Sequence, residues 1–290
     1  MKISKAILLA GGSGTRLRPM THIINKHLLN VYDKPMIYYP LSALMLGGIK
    51  DILLITNPSD IDSFKYLLGD GSRFGINISY ESQESPGGLP EAFIIGEKFI
   101  GNDPISLNLG DHILFGSGLS LILENTFSNF ETSTVFSQTT SNPQDYGVIS
   151  FDKENNPIEI IEKPTKPNSN LIVTGIYAYT NDVVEKSKDL KKSSRNEIEI
   201  TDLNNSYLAS NNLKINYLGR GITWFDAGSP NRILEISNFI SLIEKNQANI
   251  IGCLEEIALR KNYINTSQFI QSIDFYKGSS YSEYLQSIID

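Results

Sequence analysis

Short apolar runs alternate with amphipathic stretches along the first half of the chain, and the alternation predicts strand–helix units. Residues 6–9 form an unbroken apolar run, the pattern of a central strand buried on both faces. Pro35 fits the first turn of a helix. Its apolar positions Tyr38, Leu41, Leu44 and Met45 recur at helical spacing before Gly47-Gly48 stops it. Residues 51–56 read as a second strand, and a helix over 60–68 follows with Ile61, Phe64, Tyr66 and Leu67 as its apolar positions. A strand at 77–80, a helical pattern over 89–99 and a strand at 105–109 come next, with Gly110-Asp111 closing the last. A helix over 119–127 and a strand at 133–137 complete the series. Alternation at this pace predicts a mostly parallel sheet. In such sheets the ligand crevice lies past the carboxyl ends of the strands, which is where the glycine-rich stretch after Leu9 and Asp111 both fall.

The second half changes character. Strands at 147–151, 158–162 and 172–179 are separated by turn-rich pieces such as Asp152-Lys153-Glu154-Asn155-Asn156-Pro157, which predicts a mixed or antiparallel extension of the sheet. Residues 197–208 are helical in pattern, and 215–218 and 224–226 are extended. From Arg232 onward the chain reads as helix, with Ile233, Ile236, Phe239, Ile240 and Ile243 marking one face. Shorter helices over 254–259, 266–273 and 281–288 follow. The apolar edges of this tail suit either core packing or an oligomer surface.

Composition narrows the class. Of 290 residues, 40% are apolar and 20% charged, an ordinary globular balance. The net charge of −7 argues against binding DNA or RNA, although a few converging Lys and Arg can still hold a small polyanion. Cys253 is the single cysteine, which excludes an intrachain disulfide or a Cys-rich metal site and predicts a buried structural thiol. The first apolar run is too short for a signal peptide, and no run reaches the roughly 18 residues of a membrane span. A soluble, cytoplasmic protein is the expectation.

The glycine-rich stretch carries the chemistry. Gly11, Gly12 and Gly14 lie within four residues, and Thr15, Arg16, Leu17, Arg18 and Pro19 follow. A dinucleotide fingerprint needs a third glycine where Leu17 stands, and a P-loop needs Gly-Lys-Ser or Gly-Lys-Thr. Both fail, and with the first goes a dinucleotide-dependent oxidoreductase. Glycines let backbone N–H groups approach phosphate oxygens. Arg16 adds a planar fork and Lys26 a point charge. The plainer alternative is a solvated turn.

In this combination the loop, Gly11 to Thr21, resembles the signature of the sugar-1-phosphate nucleotidylyltransferases. Val31-Tyr32-Asp33-Lys34-Pro35-Met36, Leu68-Gly69-Asp70-Gly71-Ser72, Glu162-Lys163-Pro164, Val173-Thr174-Gly175 and Glu255-Glu256-Ile257-Ala258 resemble its thymidylyltransferase branch. The resemblance spans nearly the whole chain. It implies an α/β three-layer sandwich around a mixed, mostly parallel Rossmann-like sheet, with a small β extension and a helical C-terminal tail. The implied catalytic domain covers 1–244, with a nucleotide-binding half over about 1–140 and a sugar-binding half over about 141–230. A tail over 245–290 would serve oligomerisation or regulation.

The implied reaction joins dTTP and glucose 1-phosphate into dTDP-glucose and pyrophosphate, for deoxysugars such as dTDP-rhamnose, in a cytoplasmic homotetramer. Mg2+ is the implied cofactor, held by Asp111 and Asp226. Arg16 and Lys26 would bind the triphosphate over Leu9, Gly11, Gly12, Ser13, Gly14 and Thr15. Gln83, Pro86 and Gly88 would receive the base, with Gly88 leaving room for the ring. Lys163 and Arg195 would hold the sugar phosphate, and Tyr146, Gly147, Glu162, Val173 and Tyr177 the sugar. The partners implied are these small molecules, with no nucleic acid and no membrane. The chain departs from the family pattern at His27, Asn30, Gly87, Pro90, His112, Phe115 and Ser117. The first and fifth stand where Gln and Asn are usual, which bears on nucleotide or sugar preference. A relative using UTP or another sugar phosphate, and a silent nucleotide-binding subunit, are the other readings.

Overall fold

A computed structural model describes residues 1–85, 87–193 and 196–290. β1 (Lys5–Leu9) leads through the glycine-rich loop and a small hairpin, β2 (Asn30–Val31) and β3 (Lys34–Pro35), into helix α1 (Tyr38–Leu46). β4 (Asp51–Thr56), α2 (Ile61–Leu68), β5 (Asn77–Ser82), α3 (Glu91–Ile95), α4 (Glu97–Ile100) and β6 (Ile105–Leu109) continue the strand–helix rhythm. Then come β7 (His112–Gly116), α5 (Leu119–Ser128), β8 (Ser133–Thr139), β9 (Gly147–Phe151), β10 (Pro157–Glu162) and β11 (Leu171–Tyr179). α6 (Val183–Asp189), α7 (Ile200–Ala209), β12 (Leu213–Tyr217) and β13 (Ile222–Asp226) precede the helical tail, α8 (Pro230–Gln247), α9 (Leu254–Arg260), α10 (Thr266–Phe275) and α11 (Ser280–Ile289).

The main sheet runs β10-β9-β11-β6-β1-β4-β5, with β8 pairing β11 and β12. β6, β1, β4 and β5 are parallel to one another, and β9, β10 and β11 join antiparallel. The sheet is therefore mixed, as expected, with helices on both faces. The alternation of side chains along β1 sets up the layers. Ala6 and Leu8 pack into one core with α1, α5 and the tail, while Ile7 and Leu9 pack into a second with α3, α6 and α7. Leu254, Ala258, Phe269 and Leu285 belong to the first of these cores, so the tail helices share a core with α1. No described helix is long and apolar enough to cross a membrane.

Local differences from the sequence expectation have physical causes. Pro35 lies in β3, not in a helix. Met36 N donates to Leu29 O and Ile37 N to His27 O, each at 2.9 Å, and these bonds tie the segment back to the chain before the hairpin, so the helix begins only at Tyr38. The pattern over 89–99 divides into α3 and α4 at Gly96, where a Cβ would crowd Ile7 Cδ1 at 2.9 Å. In α2 the core-facing residues are Phe64 and Leu68, and Tyr66 is 95% exposed. β7 and α6 were not expected. β7 stands outside the main sheet and pairs only with the distant β13 among the described residues.

Candidate active site

A cleft of about 410 Å³ opens past the carboxyl ends of β1 and β6. Leu9, Gly11 and Gly12 form one wall, and Arg16 and Lys26 project into it. Ser13 lines an adjoining pocket with Asn57 and Pro58, and Gly14 and Thr15 line neither. The loop is fastened from β4: Asn57 Nδ2 donates to Gly12 O, and Gly12 N donates to Asn57 Oδ1, each at 3.3 Å. Asp60 Oδ2 accepts from Asn57 Nδ2 and from Asn25 Nδ2, both at 2.8 Å. Asn25 in turn caps the 3-10 turn of Lys26–Leu28, accepting His27 N at 2.9 Å. One polar network, running from exposed Asn57 bonds to the buried Asn25, thus ties the glycine loop to the segment that carries Lys26.

Lys26 Nζ donates to Asp111 Oδ2 at 2.5 Å. Burial is the largest influence on the Asp111 carboxyl and would raise it, but the Lys26 charge and hydrogen bond, joined by the His112 and His27 side chains, together hold it well below the usual carboxylate range. His27 is buried, and its Nδ1 lies 2.9 Å from Asn25 Oδ1. Burial first, and then the Lys26 charge, push its pKa down to about 3, so the imidazole is neutral. Neutral imidazole has one N–H, and Asn25 Oδ1 accepts it, which leaves Nε2 as an acceptor.

Asp111 sits in the turn between β6 and β7. Antiparallel pairing of β7 with β13 places Asp226 opposite His112, and Ala227 N donates to Asp111 O at 2.9 Å. Both carboxylates line the cleft. His112 rests on Gly175, where any Cβ would overlap the imidazole. Its ring, Trp224 and Tyr146 stand edge to face with centroids 5.1 and 5.0 Å apart. His112 Nδ1, Trp224 Nε1 and Tyr146 Oη are buried without hydrogen-bond partners among the described residues. Burial, with the nearby Asp226 charge, pushes the Tyr146 phenol up to about 12. Such a row of polar edges suits a substrate hydroxyl or bound water.

The opposite wall comes from β9, β10 and β11. Gly147 pairs with Glu162 across the hairpin, and Lys163 N donates to Tyr146 O at 3.0 Å. Lys163 has a left-handed backbone at φ 45, an uncommon state for a side-chain-bearing residue and one that clusters at functional sites. Its Nζ lies 3.4 Å from Glu162 Oε1, and Thr201 Oγ1 donates to Glu162 Oε2 at 2.7 Å. Val173 and the buried Tyr177, whose phenol is raised by burial and by Glu162, complete this wall. Gln83 and Gly88 line the cleft with Gly11 and Gly12. Gly88 is glycine for a reason not visible in the sequence, because a Cβ there would overlap Ile198 O of the adjacent strand-like segment. Pro86 and Arg195 lie outside the described residues.

Sequence reasoning passed over Asn25, Asn57 and Glu91, which hold the site without standing in its motifs, and gave no role to Thr201, although Glu199-Ile200-Thr201-Asp202 resembles a stretch of the thymidylyltransferase branch. Asn57 directly follows β4 at its carboxyl end, a topological signal that marks it. Leu89, Leu109, Asp145, Glu197 and Ile200 also line the cleft.

A mixed sheet whose parallel strands end at a basic glycine loop and Asp111, with Asp226 brought to the same cleft by a separate ribbon, defines a nucleotide-handling transferase site. The chain belongs to the nucleotidyl transferase family, whose family model matches residues 5–242. It is 47% identical over 285 residues, 98% of this chain and 99% of the relative, to the glucose-1-phosphate thymidylyltransferase of Neisseria meningitidis. A Bacillus anthracis crystal structure in complex with sucrose, provisionally assigned the same activity, superposes with a TM-score of 0.74. It is 38% identical, and the match covers 81% of this chain and 94% of that one. A UDP-glucose pyrophosphorylase bound to UDP-glucose superposes at 0.73 with 26% identity, over 84% of this chain and 99% of that one.

Proposed function

We propose that this protein is a glucose-1-phosphate thymidylyltransferase, joining dTTP and glucose 1-phosphate into dTDP-glucose with release of pyrophosphate. The observation that carries the reading is the convergence of the loop and Arg16, Lys26, Asp111, Asp226 and Lys163 on one cleft, in a chain with thymidylyltransferase relatives along its whole length. A phosphate oxygen of the sugar attacks the α-phosphorus in line. The new P–O bond forms as the bond to the β-phosphate bridging oxygen breaks, and that electron pair leaves on pyrophosphate. The attacking oxygen is already anionic at neutral pH, so no general base is needed, and positioning with charge neutralisation supplies catalysis.

Arg16, Lys26 and the Gly11 and Gly12 segment receive the triphosphate. Lys163 meets the sugar phosphate, and Glu162, braced by Thr201, accepts from sugar hydroxyls. Gln83 reads the base edge. Among the described residues, five carboxylates and three Lys or Arg side chains line the cleft, a poor balance for two polyanionic substrates. Asp111 and Asp226 fit Mg2+, a hard cation usually bound by one or two carboxylates plus substrate phosphates. No group of three or more acidic, His or Cys side chains among the described residues forms an all-protein metal cage. Mg2+ would supply charge neutralisation at the phosphates when bound. Exposed apolar side chains on α8 and α10, such as Leu242 and Phe275, support self-association into the tetramer of the resemblance, which sedimentation equilibrium tests.

Pyrophosphate release measured with dTTP, UTP, CTP, ATP and GTP against several sugar 1-phosphates, with and without Mg2+, tests the reading. Fastest turnover is expected for dTTP with glucose 1-phosphate, and none with metal removed. Turnover of a different pair alone, or binding without turnover, would overturn it.

A further inference from the structure

Gln83 is held by a residue that stands in none of the motifs. Its Nε2 donates to Glu91 Oε2 at short range and approaches Gly88 O at 3.4 Å. The same Glu91 oxygen accepts Gly87 N at 3.2 Å, and a Cβ on Gly87 would overlap the carboxylate. Glu91 therefore clasps both the amide of Gln83 and the loop beside Gly88.

The chemistry of the clasp fixes a direction. An ionised carboxylate only accepts hydrogen bonds, while a glutamine amide has a donor end and an acceptor end. With Nε2 committed to Glu91, the end left for the cleft is Oε1. That oxygen lies 3.5 Å from the Cβ position of Gly11, on the wall that Gly11, Gln83 and Gly88 share. No donor among the described residues pairs with it. Thymine and uracil offer an N3–H donor on their pairing edge, whereas cytosine offers an N3 lone pair and an amino group. A glutamine free to turn over pairs with either edge. A glutamine locked with its oxygen outward accepts the N3–H of the first and sets its lone pair against the N3 lone pair of the second.

We propose that Glu91 is a positioning residue that fixes the Gln83 amide with its oxygen toward the nucleotide, and so sets the preference for thymine or uracil over cytosine. The proposal rests on the reading that Gln83 meets the base.

Glu91→Gln keeps the shape but provides a partner that donates as well as accepts, which releases the amide. The full-length variant and wild type are compared for Mg2+-dependent pyrophosphate release with dTTP and with dCTP at saturating glucose 1-phosphate. The ratio of kcat/KM for dTTP over dCTP should fall about 10- to 100-fold in the variant. The loss on dTTP should lie mainly in KM, with a gain on dCTP. Glu91→Ala, which also removes the acceptor, should move the ratio the same way. In a Gln83→Ala background, Glu91→Gln should leave the ratio where Gln83→Ala alone puts it. Equal losses on both nucleotides, or an effect of Glu91→Gln that persists without Gln83, would overturn the proposal while dTTP use by wild type still stands. Wild-type turnover of a purine triphosphate in place of dTTP would overturn the functional reading and this proposal together.

Discussion

Asp226 stands opposite His112 in the β7–β13 ribbon, and that register sets it beside Asp111, 115 residues earlier in the chain. The bond from Ala227 N to Asp111 O closes the arrangement at 2.9 Å. Side chains alternate faces along a strand, so a slip of one residue in this ribbon would turn Asp226 away from the cleft. The pairing of the two carboxylates is thus a property of a two-stranded ribbon outside the main sheet.

Among the described residues no lysine pairs with Asp226 as Lys26 does with Asp111, and in the proposed reaction the Asp226 charge would act through a bound Mg2+. Such a metal, held by Asp226, would offset the charge that builds in the transition state more than that of bound substrate. Asp226→Ala should lower kcat at least about 100-fold and raise the Kd for dTTP less than about fivefold. Pyrophosphate release and calorimetric titration measure the two, and equal losses of rate and affinity would contradict the role.

The parts of this site that were legible in the sequence are those governed by local pattern. β1 and β4 carry continuous apolar runs because they are buried on both faces, and β6 sets Ile105, Leu107 and Leu109 in alternation with Ser106 and Asn108, so their carboxyl ends, and with them the glycine loop and Asp111, could be placed. Asp226 entered only through resemblance, since no spacing announces a ribbon between β7 and β13. β7 itself mixes His112 and Gly116 with three apolar residues and lies mostly half-buried, which obscures a strand pattern. Glu91 and Asn25 act by orienting Gln83 and His27, and such work leaves no periodic trace.

Gly175 offers a test of close approach. It lies where the pairing of β11 with β8 shifts register between Val173 and Tyr177, and the His112 ring occupies the space a Cβ would take. Gly175→Ala should cost about 1–3 kcal/mol by overpacking. His112→Ala in the same chain should recover at least half of that loss, because it removes the clashing ring. Urea unfolding of both single variants and the double variant measures this, and additive losses would show that the two residues are not coupled.

Cys253 is buried, with Tyr281 Oη donating to its sulfur at 3.2 Å. Burial first, and then the Glu255 charge, push the thiol far above its ordinary pKa. The thiolate is the reactive form. A disulfide reagent such as Ellman's should label the native protein at least about 1,000-fold more slowly than the chain in guanidinium. Substrate should slow labelling further by suppressing unfolding. Rapid labelling of the native protein would mean that the tail helices open on their own.

His27 predicts an acid-side loss of stability. Its folded pKa is pushed down to about 3, while the unfolded chain titrates near 6.5. Between those values the unfolded chain binds more protons, so stability rises with pH and is lost as pH falls. The contribution is fully present above the unfolded pKa and declines toward pH 3. In His27→Gln the amide can still donate to Asn25 Oδ1 but does not titrate. From pH 7 to pH 5, wild type should therefore lose about 2 kcal/mol more than His27→Gln. Chemical denaturation of both proteins across this range measures the difference, in which the titration of other groups largely cancels. Parallel stability curves would mean that the imidazole is protonated within the fold, and its hydrogen bond to Asn25 would then no longer define Nε2 as an acceptor.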